Sequence, residues 1–121
     1  MDRLARDVIG AAIEVHSILS PGFIESLYKE ALAIEFGRRK IPFRRQVLVG
    51  ITYKSTSIGE ARLDFLVDES LIVDLKAVEA LLPIHTAQVI SYLKATRLKL
   101  GLLFNFNVTA LKDGIHRIVQ S

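Results

Sequence analysis

Residues 71–78 read L-I-V-D-L-K-A-V, an apolar run that carries one acid and one base two positions apart. A short apolar run bounded by turn residues is typical of a buried β-strand. Because side chains alternate between the two faces of a strand, Asp74 and Lys76 lie on the same face. A charge buried without a partner costs free energy, so this strand predicts a place where the two charges meet other polar groups.

The segment before this run supplies a second acid. Residues 58–67 predict a strand, and residues 68–70 predict a tight turn between the two strands. If all three turn residues form the loop, the register places Asp64 directly opposite Asp74. A loop of two or four residues would put the two acids on opposite faces of the sheet.

The apolar face of this hairpin favours the three-residue loop, because Leu63 and Phe65 then face Leu75 and Val73. Opposed carboxylates with Cβ atoms about 5 Å apart repel each other and destabilise the hairpin. A shared proton, the neighbouring Lys76 or a bound cation would offset that repulsion. The alternative is an ion-paired hairpin at a sheet edge, in which Lys76 only neutralises the adjacent acid.

The rest of the chain predicts three helices and three further strands from hydrophobic spacing and turn signals. The helices are expected at residues 3–19, 23–38 and 83–96, and the strands at 43–53, 98–106 and 115–119, with a turn at 54–57. The order ααβββαββ, without repeats or linkers, predicts a single α/β domain over residues 1–121. A meander followed by a helix and another strand predicts a mixed β-sheet flanked by helices.

Composition narrows the class of protein. Half of the 121 residues are hydrophobic and the mean hydropathy is +0.35, which fits a filled core, a homo-oligomer interface or a protein partner. No run of about 18 apolar residues is present, so a membrane span is not expected. The N-terminus lacks the pattern of a signal peptide. Cysteine is absent, which excludes disulfides and thiolate metal sites and suits a cytoplasmic protein.

The chain is mildly basic, with a formal net charge of +3 and a pI near 9.4. Clustered bases fit contacts with nucleic-acid phosphates, or equally the solvated C-terminal ends of helices. The candidate contacts are Arg38, Arg39, Lys40, Arg44, Arg45 and Lys94.

A family resemblance now joins these features. Asp64 followed by Asp74-Leu75-Lys76 after a hairpin resembles the D…(D/E)-x-K signature of the PD-(D/E)xK nuclease superfamily. G-F-I-E-S-L-Y at residues 22–28 is similar to the G-x-x-E-x-x-Y motif that names the GxxExxY family within it. The segments V-I-G-A-A-I-E-V-H, D-L-K-A-V-E-A-L-L-P-I-H and A-Q-V-I-S-Y-L-K-A-T also resemble that family. The resemblance therefore covers nearly the whole chain.

The chain departs from the family pattern at two positions. Leu63 stands where the superfamily name has proline, which is often absent. Asp74 stands where this family usually has glutamate, and its side chain is one methylene shorter.

The resemblance implies a restriction-endonuclease-like core and a nuclease that uses Mg²⁺ or Mn²⁺. Carried onto this sequence, Asp64, Asp74 and the backbone carbonyl of Leu75 would hold the metal. Glu25 would be a further acid that also serves as a metal ligand. Lys76 would orient or deprotonate the attacking water, or stabilise the charged transition state. An alternative explanation for Glu25 is its position in the first turn of a helix, where the helix dipole favours acids whatever the function.

Three further residues are candidates for supporting roles. Tyr28 shares a helix face with Glu25 and either hydrogen-bonds it or packs in the core. Gln88 and Tyr92 resemble a Q-x-x-x-Y pattern that some superfamily branches place near the site. An amphipathic helix with a solvated face explains the same two residues equally well.

The leading hypothesis is a metal-dependent phosphodiesterase acting on nucleic acid, with DNA expected rather than RNA. The rival is a non-catalytic nucleic-acid-binding or complex-forming module on a nuclease-like scaffold. A third hypothesis is a structural protein whose charges merely pair.

Overall fold

A computed structural model describes residues 2–120 as a five-stranded sheet with helices on both faces. The helices are α1 (Asp2–Leu19), α2 (Glu25–Arg38) and α3 (Pro83–Thr96). The strands are β1 (Phe43–Tyr53), β2 (Thr56–Val67), β3 (Leu71–Lys76), β4 (Leu100–Asn105) and β5 (Ile115–Val119), with a 3-10 turn at Leu111–Gly114. The predicted order ααβββαββ and the mixed α/β fold class are confirmed.

The sheet runs in the order β1-β2-β3-β4-β5. Strands β3 and β4 are parallel, and the other neighbours are antiparallel. Parallel neighbours need a crossover connection, which α3 provides. The sheet is therefore mixed, as the meander followed by a helix and a strand predicted.

Two apolar clusters hold the layers together. On one face α1 and α2 pack on side chains that include Phe65, Val73 and Phe104. On the other face α3 packs on side chains that include Ile72 and Leu103. Burial of apolar area on both faces explains why β3 and β4 are almost continuously apolar.

The β2–β3 hairpin has the predicted register. Phe65 pairs with Val73 and Val67 with Leu71, on either side of the three-residue loop at residues 68–70. The register of this hairpin is confirmed.

One predicted face is wrong. Leu63 packs in the α3 cluster, whereas Phe65 packs in the α1–α2 cluster. The neighbouring strand β1 is irregular at this point. Gln46 lies between the two β1 residues that pair with Leu63 and Phe65, and its backbone is left-handed, with φ of 52°. Simple alternation holds only for regular extended backbone, so the two strands change faces at this point.

Some element boundaries also differ from the prediction. The first turn contains only Lys54 and Ser55, both with positive φ as a tight hairpin turn requires, so β2 begins two residues early. Strand β3 ends at Lys76, because the backbone N–H and C=O of Val78 bond the side chain of Asn105 instead of a strand. Helix α2 begins at Glu25 rather than at residue 23, and β4 spans a shorter range than predicted, Leu100–Asn105.

One outer face of the helical layer is apolar. A groove of about 530 Å³ between α1 and α2 includes Ile18 and Ile34, which are 69% and 64% exposed. The homo-oligomer or protein partner expected from the composition stays a prediction. Within residues 2–120, none of the helices has the length and apolar character needed to cross a bilayer.

Candidate active site

Asp64, Asp74 and Lys76 meet where strands β2 and β3 separate. We call this opening of the sheet the fork. Backbone pairing of the hairpin ends at Phe65 and Val73. One step further, the N–H of Leu75 donates to Oδ2 of Asp64 at 2.9 Å. The carboxylate of Asp64 thus replaces the missing strand partner and is fixed in the opening of the sheet.

Asp74 lies opposite Asp64, and the two carboxyl groups are in hydrogen-bond contact. Asp74 is only 4% exposed, and burial together with the Asp64 carboxyl raises the pKa of Asp74 to about 8. Burial alone would raise the pKa of Asp64 too, but hydrogen bonds from Asp74, the Leu75 N–H and Lys29 lower it below its ordinary value. The acids therefore offset their repulsion by sharing a proton at neutral pH.

Lys76 lies on the same side of the fork. Its Nζ is 3.6 Å from Oδ2 of Asp74, and its side chain is partly buried, with 21% exposed. Tyr92 on α3 is half-buried, and burial together with the nearby charge of Asp74 raises its pKa. Gln88, one turn earlier on α3, is exposed. The charges at the fork therefore act on Tyr92, whereas Gln88 is exposed to solvent.

Glu25 reaches the site through a lysine that the sequence analysis missed. Lys29 Nζ lies 2.7 Å from Oε2 of Glu25 and 2.9 Å from Oδ1 of Asp64. Burial would lower the pKa of Lys29, but its hydrogen bonds to these two carboxylates raise it. In the sequence, only the spacing of four residues between Glu25 and Lys29 could have indicated the ion pair between these two residues. The contact with Asp64 needs the packing of α2 against the sheet.

Tyr28 has a positioning role. It is fully buried, donates its hydroxyl proton to the carbonyl of Ser20 at 2.6 Å and accepts from the N–H of Phe23 at 3.2 Å. Its ring stacks on Phe106 with centroids 4.8 Å apart. Tyr28 therefore packs in the core rather than hydrogen-bonding Glu25. Its hydroxyl group fixes the loop that precedes Glu25.

Asn105 is a second residue that the sequence analysis missed. It is buried, and its side-chain amide bonds both backbone groups of Val78, at 3.1 and 2.9 Å. The backbone carbonyl of Lys76 in turn accepts from the N–H of Phe106 at 2.9 Å. These bonds fix the chain directly after Lys76.

The comparison with protein families agrees with this geometry. The model of the PD-(D/E)XK nuclease superfamily matches residues 2–118. The chain belongs to this superfamily. No curated protein and no solved structure matches it significantly. Membership indicates a nuclease-like function and nucleic acid as the class of substrate.

The metal used by PD-(D/E)XK nucleases, Mg²⁺ or Mn²⁺, can be tested against the donor atoms at the fork. Among residues 2–120, no three acids or histidines are grouped as a metal site. Asp64 and Asp74 nevertheless bring two carboxyl groups into contact. The N–H of Leu75 points towards Asp64, and the carbonyl of an extended residue points to the same strand edge. Two carboxylates and a carbonyl fit a hard divalent cation, whereas Glu25 is occupied by Lys29.

The basic residues predicted to contact nucleic acid divide into two groups. Arg39 pairs with Glu35, Arg44 with Glu69 and Arg45 with Glu30, so ion pairs occupy these three charges. The other three are exposed: Arg38, Lys40 and Lys94. Fewer basic side chains near α2 and β1 are therefore available to contact phosphate than the sequence suggested.

Proposed function

We propose that this chain is a Mg²⁺- or Mn²⁺-dependent nuclease that hydrolyses phosphodiester bonds of nucleic acid, with DNA as the expected substrate. The observation that carries the proposal is the convergence of Asp64, Asp74 and Lys76 at the fork. An acid pair that would hold a cation, beside a partly exposed ammonium group, suits stabilisation of charge on a phosphate. Assignment to the GxxExxY branch, a single domain over the whole chain and a cytoplasmic location stay predictions.

In this proposal Asp64, Asp74 and the carbonyl of Leu75 would hold the cation. When bound, the cation supplies positive charge that stabilises the charge developing on the phosphate. Lys76 donates hydrogen bonds to the attacking water or to a phosphate oxygen. The water oxygen forms a new bond to phosphorus as the bond to the leaving oxygen breaks. The attacking water gives up one proton to solvent, and the leaving oxygen takes up one proton from solvent. Tyr92 lines the approach from α3.

A groove beside α3 supports a nucleic-acid partner. It has a volume of about 400 Å³ and lies between β1 and the C-terminal half of α3. Lys94 and Arg97 line it together with the hydroxyls of Thr52 and Ser91, and none of its lining residues is acidic. Bases and hydroxyls without acids suit contact with a phosphate backbone. Helix α3 carries both the lining residues Ser91 and Lys94 of this groove and Tyr92.

The proposal is tested with a cleavage panel of single-stranded, double-stranded and branched DNA and RNA. Cleavage should require Mg²⁺ or Mn²⁺ and stop when EDTA is added. Lys76→Ala should lower the rate about 100-fold or more, because one charged donor to the reacting phosphate is lost. Lys112→Ala, at an exposed lysine of the 3-10 turn, is the matched control and should cleave normally. Equal rates for Lys76→Ala and the natural chain would refute the assignment of the site.

A non-catalytic nucleic-acid-binding or complex-forming module is the second candidate. It is favoured by one observation, the ion pairs through which Lys29 already neutralises Glu25 and Asp64. The same panel separates the two functions. A chain that binds nucleic acid but cleaves no substrate with either metal is the module, whereas metal-dependent cleavage excludes this reading.

A further inference from the structure

We propose that Lys29 competes with the divalent cation for the oxygens of Asp64 and thereby weakens metal binding at the fork. The inference rests on the proposed function in one respect, the choice of Asp64 as a metal ligand. It goes beyond that function because it assigns Lys29 the control of metal affinity.

The geometry of the lysine is the first support. Its ammonium group lies 2.9 Å from Oδ1 of Asp64, and the other oxygen, Oδ2, is taken by the N–H of Leu75. Both oxygens of this carboxylate therefore have donors. A cation that binds Oδ1 would lie within a few ångströms of the ammonium group, and the repulsion between the two positive centres weakens its binding.

The second support is that Lys29 is held in place. Its side chain is only 18% exposed, and Glu25 holds the same ammonium group from the other side at 2.7 Å. A solvent-exposed lysine would lose little by swinging away. A mostly buried lysine with two carboxylate partners loses both ion pairs where water screens poorly, so displacing it costs free energy.

The balance of charge is the third support. Three acids, Asp64, Asp74 and Glu25, face two lysines, Lys29 and Lys76, at the fork. Lys29 is the lysine that contacts Asp64. Without it only one ammonium group would oppose three carboxyl groups, so the fork would attract a dication more strongly.

The test measures Mn²⁺ affinity by titration calorimetry on the full chain without nucleic acid, so activity does not enter. Lys29→Met should tighten Mn²⁺ binding about tenfold or more, as expected when one positive charge a few ångströms away is removed. Lys29→Arg is the matched control and should bind Mn²⁺ within about twofold of the natural chain, because it keeps the charge. Unchanged or weaker binding by Lys29→Met would overturn the proposal.

A second measurement needs no variant that could fail to fold. Lysine side chains of the natural chain are labelled with ¹⁵N, and Mg²⁺ is titrated while the Lys29 ammonium signal is followed by NMR. Displacement should shift this signal, whereas the signal of Lys112 should stay in place. A Lys29 signal that does not move as the metal binds would also overturn the proposal.

The outcomes separate this inference from the proposed nuclease. If Lys29→Met binds Mn²⁺ more tightly but the natural chain cleaves no nucleic acid, Lys29 controls the cation site and the nuclease proposal fails. If the natural chain cleaves DNA and Lys29→Met binds Mn²⁺ no more tightly, the nuclease proposal stands and the role of Lys29 fails.

Discussion

Asp74 is the residue whose charge depends most on its surroundings. It is buried next to another acid, and its nearest cation, Lys76, is 3.6 Å away. The Asp64 carboxylate has more donors, since it accepts hydrogen bonds from Lys29 and from the N–H of Leu75. The shared proton therefore belongs mainly to Asp74, whose pKa rises to about 8 whereas that of Asp64 falls.

A pH-dependent loss of stability follows for Asp74. Its pKa in the folded chain, about 8, is above the ordinary value of 3.8. A raised carboxyl pKa contributes stability that is fully present below the ordinary pKa and is lost as the pH rises through the folded pKa. Asp74→Asn stays neutral at every pH and keeps a donor for Asp64. It should therefore unfold at a temperature roughly 4 °C or more above the natural chain at pH 9.

Thermal unfolding of both chains between pH 3 and pH 9 measures this effect. The two unfolding temperatures should converge as the pH falls below 3.8, the ordinary pKa, because Asp74 is then protonated in both states of the natural chain. Asp113→Asn, at an exposed position of the 3-10 turn, controls for loss of an acid and should follow the natural chain. A constant difference between Asp74→Asn and the natural chain over this pH range would contradict the shared proton.

The sequence predicted three of the site residues by geometry alone. Strand alternation and loop length were enough to bring Asp64, Asp74 and Lys76 together, because the hairpin is local in sequence. Glu25 came only from the family resemblance. Lys29 could not be predicted, because its contact with Asp64 joins a helix and a strand that are distant in sequence.

At the scale of elements, the fork depends on the irregular part of the first hairpin. Gln46 has a left-handed backbone and lies between two cross-strand pairs of β1 and β2. Phe65 of one pair packs on the α2 face of the sheet, and Leu63 of the other pair packs on the α3 face. Asp64 occupies the matching position on β2 and turns into the opening. Regular alternation predicts the faces of β3 correctly and fails here, because no residue type signals that Gln46 leaves the extended conformation.

The close packing of α3 on β4 yields an element-scale prediction. A Cβ atom built on Gly101 would lie 2.7 Å from Cγ1 of Val89, so α3 sits where only glycine fits beneath it. Gly101→Ala should destabilise the fold by about 1–3 kcal/mol through overpacking. Gly37→Ala is the matched control: it lies in α2 with no atom within 4 Å of the added carbon, and it should stabilise by about 0.5–1 kcal/mol.

Urea unfolding of both glycine variants measures these free energies. Gly101→Ala should shift the midpoint to lower urea and Gly37→Ala to higher urea, with the slope unchanged. A neutral Gly101→Ala would mean that α3 moves away from β4 without cost. In that case Tyr92, which α3 carries towards the acids, would not be held rigidly.

At the scale of the whole molecule, two layers converge on one opening of the sheet. Helix α2 brings Glu25 and Lys29 from one face, and α3 brings Tyr92 from the other. The order of elements predicted this layered sheet, because hydrophobic spacing and turn signals are local. The free basic surface could not be predicted, because Arg44 and Arg45 are neutralised by acids 25 and 15 residues away in sequence.

The groove between β1 and α3 yields the last prediction. Gly50 lines it beside Lys94 and Arg97, and no atom lies within 4 Å of a Cβ built on this glycine. A side chain therefore fits there without disturbing the fold. Gly50→Glu would add a negative charge among the bases, so it should weaken DNA binding about tenfold, while Gly50→Ala should bind as the natural chain does.

Fluorescence anisotropy with labelled DNA in EDTA measures this binding apart from cleavage. Lys94→Ala should lower the slope of log affinity against log salt by about one, because one phosphate contact is lost. Lys76→Ala should retain most of the affinity, since Lys76 lies at the fork and not in the groove. If Gly50→Glu and Gly50→Ala bind equally, the nucleic acid reaches the fork by another path, and the exposed Arg38 and Lys40 at the end of α2 become the next positions to test.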